Sequence, residues 1–196
     1  MVTRSSPQRR IGVLALQGGF VAHQQQLVAL GHEAPAVRTE NHLADLDALV
    51  MPGGESTAMS HLLRTNELFD PLAEWFAEGF PVMGTCAGMI LCAADVLDRR
   101  DDQRSFGLID LTVRRNGYGR QLDSFETDLN VSGLDDPFHA VFIRAPLVER
   151  VGENVEVLSE YEGDPVLLRA GRCTVASFHP ELTDDGRLHR QFVNTI

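Results

Sequence analysis

The residue best suited to covalent chemistry is Cys86, which lies in the stretch 81–90. A short apolar run leads to this cysteine, glycines occupy positions 84 and 88, and a helical pattern begins at Met89. Strand, tight turn and helix in this order form a nucleophile elbow, where small residues let the backbone turn sharply and leave the side chain exposed above the sheet edge. The positive end of the following helix favours the thiolate, so Cys86 is a candidate nucleophile. The alternative is a small buried cysteine packed under a helix.

A candidate base and a carboxylate to orient it occur later in the chain as His179 and Glu181. They follow an apolar run, and Pro180 between them fixes its own φ and offers no backbone donor. In an extended segment, residues two apart point to the same side, so the carboxylate can hold one imidazole nitrogen while the other faces a thiol. Cys86, His179 and Glu181 would then supply the nucleophile, base and orienting group of covalent acyl transfer.

A second glycine turn, at residues 52–57, also leads from an apolar strand into a helix. In a parallel sheet this turn faces the same rim as Cys86, and its backbone N–H groups can supply a donor to an oxyanion. Two glycines between a strand and a helix are often only a turn, and this alternative remains open.

Two arginine-bearing segments are candidates for holding a substrate carboxylate. One is the basic, glycine-punctuated loop at 114–120, and the other places Arg144 at the end of a strand. An arginine can hold a carboxylate with a bidentate fork, although solvated or structurally ion-paired arginines are the more common case.

The histidines other than His179 show no metal-ligand spacing, so no metal is assigned. His23 lies in the first predicted helix, next to the first glycine turn. We interpret it as a surface histidine, with a position near the site or a partner surface as the alternative.

Apolar runs that alternate with helical patterns predict the sheet that must position these residues. Strands are predicted at 11–16, 33–37, 47–51 and in the run before Cys86, and helices at 20–30, around 59–63 and at 71–78. The apolar positions of the first helix are Val21, Leu27, Val28 and Leu30. The alternation predicts an α/β fold with a doubly wound, mostly parallel central sheet flanked by helices, and a site at the carboxyl ends of the strands.

The second half of the chain is predicted to be rich in β-structure. Short strands separated by Gly, Asp and Pro turns are predicted at 111–113, 125–129, 140–143, 155–158 and 166–168, followed by an amphipathic helix in 184–196. Residues 98–105 are polar and charged and are predicted to form a solvent-exposed loop.

Bulk properties place limits on the class of protein. A length of 196 residues fits a single domain over 1–196, with disorder an open question for residues 1–10. A net charge of -11 argues against a nucleic-acid partner. Three cysteines fit no disulfide or metal framework, which favours a reducing compartment, with Cys92 and Cys173 in the core. The sequence has no apolar run long enough for a signal peptide or a membrane span, so we expect a cytoplasmic protein without a membrane partner.

With these motifs in place, the chain resembles the triad-type glutamine amidotransferases and, more closely, the family of glutaminase subunits of pyridoxal 5'-phosphate synthase. The resemblance covers nearly the whole chain. It rests on residues 12–18, 52–57, 84–88, 115–116, 119–121, 123–126, 141–146 and 177–181. The elbow and the His-Pro-Glu segment mark the broad superfamily, whereas 123–126 and 142–146 are specific to this subunit. Residues 19–23 depart slightly from the usual form, in which an acidic residue commonly precedes the histidine.

The resemblance implies an enzyme that hydrolyses L-glutamine to L-glutamate and ammonia through a thioester on Cys86. His179 would carry the protons and Glu181 would orient His179, while the backbone N–H groups of Gly54 and Ala87 would bind the oxyanion. The positions that match the family's glutamine contacts are Gly54, Glu55, Ser56, Arg115, Ile143 and Arg144. No cofactor is implied.

The resemblance also implies a partner, a (β/α)8-barrel synthase subunit in a large hetero-oligomer, which uses the ammonia to build pyridoxal phosphate. Ammonia in neutral water is mostly ammonium, which has no lone pair, so a sheltered path preserves the nucleophile. Two alternatives remain at this point. One is a glutaminase subunit that serves another acceptor, such as that of histidine biosynthesis, and the other is a catalytically silent regulatory subunit on the same fold.

Overall fold

The structure is a computed structural model that describes residues 7–115, 117 and 124–196. The strands in these residues are β1 Ile11–Leu14, β2 Ala36–Val37, β3 Ala48–Met51, β4 Val82–Thr85, β5 Ala93–Val96, β6 Ile109–Arg114, β7 Ser124–Leu129, β8 Phe138–Ile143, β9 Leu147–Val151, β10 Glu156–Tyr161, β11 Asp164–Ala170 and β12 Cys173–Ala176. The α-helices are α1 Phe20–Ala29, α2 Ser56–Thr65, α3 Phe69–Ala77, α4 Ala87–Cys92 and α5 Arg187–Val193. Short 3₁₀ turns occur at Glu40–Leu43 and Pro180–Leu182.

The largest sheet has seven strands in the order β10-β11-β12-β4-β3-β1-β2. The pairs from β12 to β2 are all parallel, whereas β11 and β10 are added by antiparallel pairing. This arrangement confirms the predicted α/β fold with a mostly parallel central sheet. The carboxyl ends of β4, β3 and β1 meet at one rim, which carries both glycine turns.

Alternate residues of the central strands belong to different apolar clusters. Val13 and Val50 pack in one cluster with Phe192 of α5, whereas Leu14 and Met51 belong to the larger cluster. A sheet whose two sides both join apolar clusters is covered on both faces. This double burial explains why β1 and β3 appear in the sequence as continuous apolar runs rather than as alternating ones.

The second half is rich in β-structure, as predicted. β7 and β8 form an antiparallel pair, and β5, β6 and β9 form a separate three-stranded sheet. β5 and β9 were not predicted. β5 follows α4 without an intervening turn residue, and β9 carries Glu149 and Arg150 in its middle, so neither has the apolar pattern of a strand.

Helix α1 buries a different face from the one predicted. Val21 and Val28 are 51% and 60% exposed, whereas His23 and Leu27 are fully buried. The interpretation of His23 as a surface residue is therefore wrong. Residues 23 and 27 are four apart and share one face of the helix, and the polar ring of His23 finds polar partners inside the protein, described below.

Cys92 and Cys173 are buried, as predicted. Burial raises the pKa of the Cys92 thiol well above its usual value, and a hydrogen bond with Cys173 adds to this. The raised pKa makes Cys92 a packing thiol rather than a nucleophile.

Some predictions fall wholly or partly outside the described residues. The motif positions 116 and 118–123 lie outside them, as do residues 1–6 of the N-terminal segment. Within residues 7–10, Arg9 forms an ion pair with Asp47, and Arg10 forms one with Glu33. None of the helices in the described part of the chain has both the length and the apolar character needed to cross a membrane.

Candidate active site

Cys86 lies on a sharp turn between β4 and α4. Its backbone has φ +49° and ψ −105°, a conformation that residues with a side chain rarely adopt. The backbone N–H of Cys86 donates to the carbonyl of Ala176 at 2.8 Å, which continues the β4–β12 pairing into the turn. A Cβ atom on Gly88 would overlap the carbonyl oxygen of Met51, so the first turn of α4 can approach β3 only with glycine there. The predicted sharp turn is therefore present, although the Cys86 side chain is only 7% exposed and the prediction of an exposed side chain is wrong.

His179 and Glu181 follow β12, the neighbour of β4. The backbone N–H of His179 donates to the carbonyl of Val141 at 2.8 Å, which fixes this segment against β8. Nδ1 of His179 lies 2.8 Å from Oε1 of Glu181, so the predicted pair is formed. The local geometry differs from the expectation, because Pro180 begins a 3₁₀ turn and the segment is not extended. The fixed φ of proline suits this first position of a helical turn.

The electrostatics of the site favour a charged imidazole. Burial alone would lower the pKa of His179, but the neighbouring side chains of Cys86 and Glu181 outweigh it and raise this pKa to about 10. The Sγ atom of Cys86 itself lies 3.8 Å from the carbonyl oxygen of Ile143 and donates to it. Burial opposes ionisation of Glu181 as well, yet its pKa lies below the usual value because of the neighbouring histidines. Cys86 and His179 thus line the same cavity, and Glu181 holds Nδ1 of His179.

A cavity of about 290 Å³ opens in front of Cys86 and His179. Its volume lies at the small end of the range for ligand pockets, roughly 300–1,000 Å³, and suits a small polar molecule. The residues that line it are Gln17, Gly54, Glu55, Ser56, Cys86, Ile90, Arg115, Ile143, Arg144 and His179. All six positions predicted to contact glutamine are in this set. Gln17 and Ile90 were not predicted.

Opposite charges face each other across the mouth of the cavity. Glu55 caps α2, and its carboxylate accepts the backbone N–H groups of Thr57 and Ala58 at 2.9 Å and 2.6 Å. Although partial burial opposes it, these bonds lower the pKa of Glu55 below its usual value. Oε1 of Glu55 lies 3.7 Å from Nη1 of Arg115. A carboxylate and a guanidinium at this spacing can receive the ammonium and carboxylate groups of an amino acid.

Arg115 is held in place by a residue from a loop that was predicted to face solvent. Gln103 is only 4% exposed, and its Oε1 lies 3.3 Å from Nη1 of Arg115 and accepts the hydroxyl of Thr57 at 3.2 Å. Its Nε2 donates to the hydroxyl of Ser56, also at 3.2 Å. The loop at 98–105 is therefore correct as a loop, but the prediction that it is solvent-exposed is wrong at Gln103.

Of the two proposed oxyanion donors, Gly54 lines the same cavity as Cys86, and Ala87 follows Cys86 in the chain. Ala87 is the first residue of α4, where a helix leaves its N–H groups without an intrahelical acceptor. The turn that carries Gly54 is joined to the turn before α1, because the N–H of Gly19 donates to the carbonyl of Gly53 at 3.2 Å. The role of Gly54 and Ala87 toward a substrate stays a prediction.

His23 is a buried neighbour of the triad that the sequence analysis did not assign to it. Its Nε2 lies 3.3 Å from Oε2 of Glu181, and its Nδ1 lies 2.8 Å from Nε2 of His189. The sequence held one sign of this burial, because His23 shares a helix face with the apolar Leu27. A histidine on a buried face needs polar partners. The sequence alone does not show which partners these are.

Comparison with known proteins agrees with this geometry. The description "SNO glutamine amidotransferase family" matches residues 13–196. Proteins of Mycobacteroides abscessus and Corynebacterium jeikeium, both named pyridoxal 5'-phosphate synthase subunit PdxT, are each 54% identical over 95% of this chain and 96% of their own length. A crystal structure of a glutamine amidotransferase is 47% identical, with a TM-score of 0.90 over 94% of this chain and 97% of that one. The chain belongs to the SNO glutamine amidotransferase family.

Proposed function

We propose that the protein is the glutaminase subunit of pyridoxal 5'-phosphate synthase, built as one glutamine amidotransferase domain. The observation that carries this proposal is a cavity lined by Cys86 and by His179, whose ring is paired with Glu181, with opposite charges at its mouth. The two 54% identical relatives are named as a subunit of that synthase, which supports this acceptor rather than another.

Glutamine hydrolysis on these residues follows from their chemistry. The Cys86 sulfur attacks the side-chain amide carbon of glutamine, and the N–H groups of Gly54 and Ala87 stabilise the oxyanion that forms. The imidazolium of His179 gives its proton to the departing ammonia, which leaves a thioester on Cys86. His179 then takes a proton from water, which attacks the thioester and releases glutamate. Glu181 keeps the imidazole in the orientation that both steps need.

The cavity supplies the contacts for the remainder of the substrate. Glu55 can bind the α-ammonium group of glutamine, and Arg115 and Arg144 can bind its α-carboxylate. Ser56 and Ile143 line the wall between these groups and Cys86. This division of charge favours a free amino acid over a neutral amide of the same length.

The proposed partner is a (β/α)8-barrel synthase subunit in a large hetero-oligomer, which receives ammonia before it is protonated. The names of the relatives support a synthase of more than one subunit. Three free cysteines support a reducing compartment, and we infer that the assembly is cytoplasmic.

The test is glutamate release from L-glutamine, measured with and without the synthase subunit of the same organism. Wild-type protein is expected to release glutamate in the complex, and Cys86→Ala is expected to release none. A coupled assay for pyridoxal phosphate with glutamine as the nitrogen source identifies the acceptor. Pyridoxal phosphate formed from ammonium chloride but never from glutamine would contradict the proposal, as would full activity in Cys86→Ala.

A glutamine-analogue electrophile supplies a second measurement. It should label Cys86 in the complex, and leave Cys92 and Cys173 unlabelled, because Cys86 lines the cavity and the other two do not. Failure to label Cys86 in an intact complex would instead favour a silent regulatory subunit.

A further inference from the structure

The carboxylate of Glu181 has two oxygens, and only one of them contacts the catalytic histidine. Oε1 lies 2.8 Å from His179, whereas Oε2 is buried and, among the described residues, has no well-aligned hydrogen bond. Facing it is Nε2 of His23, at 3.3 Å, in a side chain with no exposed surface. An ionised oxygen in such a place is costly unless a polar group faces it.

The second contact of Nε2 of His23 is the hydroxyl of Thr85, at 3.1 Å. The hydrogen bond of this nitrogen is aligned toward Thr85, and Oε2 of Glu181 lies beside the same polar edge of the ring, within electrostatic reach. If Nε2 instead carried no proton, its lone pair would face the negative oxygen of Glu181 at 3.3 Å. This repulsion in a dry environment selects the form of His23 that carries its proton on Nε2.

His189 fixes the same form from the other side. With the proton of His23 on Nε2, Nδ1 of His23 becomes an acceptor, and Nε2–H of His189 donates to it at 2.8 Å. Nδ1 of His189 then carries no proton, and in the described structure this buried atom has no partner. The opposite arrangement would bury an N–H group without an acceptor as well as repelling Glu181. One arrangement of protons therefore satisfies all three side chains best.

Burial favours the neutral form of both histidines. Burial lowers the pKa of His23, and of the charges that face it, Glu181 acts to raise this pKa and His179 to lower it. Burial lowers the pKa of His189 to about 3, with a further contribution from His23. Burial raises the pKa of Glu181, and the electrostatic interaction with His23 is the largest contribution that lowers it.

We propose that His23, held by His189, is a positioning residue whose buried Nε2 edge faces Oε2 of Glu181 and so keeps the catalytic carboxylate ionised and aimed at His179. The proposal extends the triad by a buried donor, and it rests on the proposed glutaminase function. His23 is not among the residues that line the cavity, so it acts on the reaction through Glu181.

The consequence is a specific defect when the donor is removed. Without it, Oε2 of Glu181 has no polar group facing it, which raises the pKa of Glu181 and frees its carboxylate to rotate. His179 then loses orientation in both proton transfers, while the substrate contacts across the cavity are unchanged. A hydrogen bond to a charged group corresponds to roughly a tenfold to hundredfold effect. We expect this in kcat and not in KM.

A matched pair of variants separates the donor from the packing. His23→Gln places an amide N–H near the position of Nε2, whereas His23→Met has a similar length and no donor. In the complex with the synthase subunit, His23→Met should lower kcat for glutamate release at least tenfold with KM within twofold. The acid limb of its kcat/KM profile should move to higher pH. His23→Gln should restore most of kcat and return the acid limb toward that of the wild type.

Several outcomes would overturn this inference. They are a wild-type kcat and pH profile in His23→Met, and equal losses in the two variants, which would indicate packing alone. If His23→Met fails to fold, nitrogen NMR of the labelled wild-type protein decides, because the proton of His23 must be on Nε2 and a proton found on Nδ1 contradicts the proposal. Absence of glutaminase activity in the wild-type complex would refute the proposed function, and the NMR measurement would still test the position of the proton.

Discussion

Gly53 lies directly against the imidazole ring of His179. A Cβ atom at position 53 would lie 2.9 Å from Nδ1 and 3.2 Å from Nε2 of that ring, and it would overlap Cε1. The ring cannot retreat freely, because its Nδ1 bonds Glu181 and its backbone N–H bonds Val141. His179, the proposed base, can therefore occupy this position only because residue 53 has no side chain.

Gly53→Ala should displace His179 and leave the fold largely intact. A shift of about 1 Å in a catalytic group costs on the order of 100-fold in rate, so kcat for glutamate release should fall by about that factor. Gly186→Ala is the control, since a Cβ there would meet only the tip of Gln26 at 3.2 Å and Leu30 at ordinary contact distances. Equal rates in the two variants would show that the ring yields without consequence.

The turn at Cys86 predicts an unusual order of stabilities. A residue with a side chain at φ +49° is strained by about 1–3 kcal/mol, and glycine relieves this strain. Cys86→Gly should therefore be more stable than Cys86→Ala by about that amount in urea unfolding, with both variants inactive. At Cys173, which lies in a regular strand, the same comparison should favour alanine by about 0.5–1 kcal/mol. A less stable glycine variant at position 86 would argue against strain in the turn.

The raised pKa of His179 predicts how pH affects the triad. Its ordinary pKa is 6.5 and its folded pKa is about 10, so the stabilisation from its imidazolium is fully present below pH 6.5. This stabilisation is lost as the pH rises through about 10. Glu181 has a lowered pKa, so its contribution is present above the ordinary carboxyl pKa of 4.5 and is lost as the pH falls through the folded value. Glu181 and His179 should therefore stabilise the fold most between pH 4.5 and pH 6.5, where both contributions are fully present.

Glu181→Gln tests this electrostatic account. Loss of the carboxylate removes one of the groups that raise the pKa of His179, so NMR titration of the ring should show the imidazolium lost at a lower pH than in the wild type. Glutamate release should fall by roughly 100-fold because the base is less well oriented. An unchanged titration of His179 would mean that Cys86 alone sets its charge.

Gln103 lies outside the cavity, but its contact with Arg115 predicts that it affects substrate affinity. Gln103→Leu removes bonds to Arg115, Thr57 and Ser56, so the KM for glutamine should rise about tenfold with kcat within twofold. Gln103→Glu keeps an acceptor for Arg115 and should be affected less. Gln24→Leu is a control at a distant site, because Gln24 only donates to the carbonyl of Ala34. A fall in kcat alone would contradict a role in holding Arg115.

The parts of the fold and site that follow from local sequence could be predicted. Apolar runs too hydrophobic for a one-sided strand indicated the doubly covered sheet, and the glycines around Cys86 indicated the elbow. The pairing of His179 with Glu181 was predicted because the two are neighbours in sequence, although a 3₁₀ turn and not an extended strand brings them together.

Contacts between distant segments could not be predicted in the same way. His23 is buried because it meets His189, which lies 166 residues further along the chain. Gln103 leaves solvent because it meets Ser56, 47 residues earlier. In each case the burial of a polar side chain depends on a hydrogen-bond partner far away in the sequence. Neither hydrophobic periodicity nor charge identifies that partner.

The hydrogen bond from Gly19 to Gly53 joins the start of helix α1 to the turn that lies against His179. The helix thereby has two attachments: one end is fastened to the loop beside the imidazole, and His23 faces the buried carboxylate. A tilt of this helix would therefore move His179 and Glu181 together. A contact made at the exposed Val21 and Val28 would change the geometry of both groups at once.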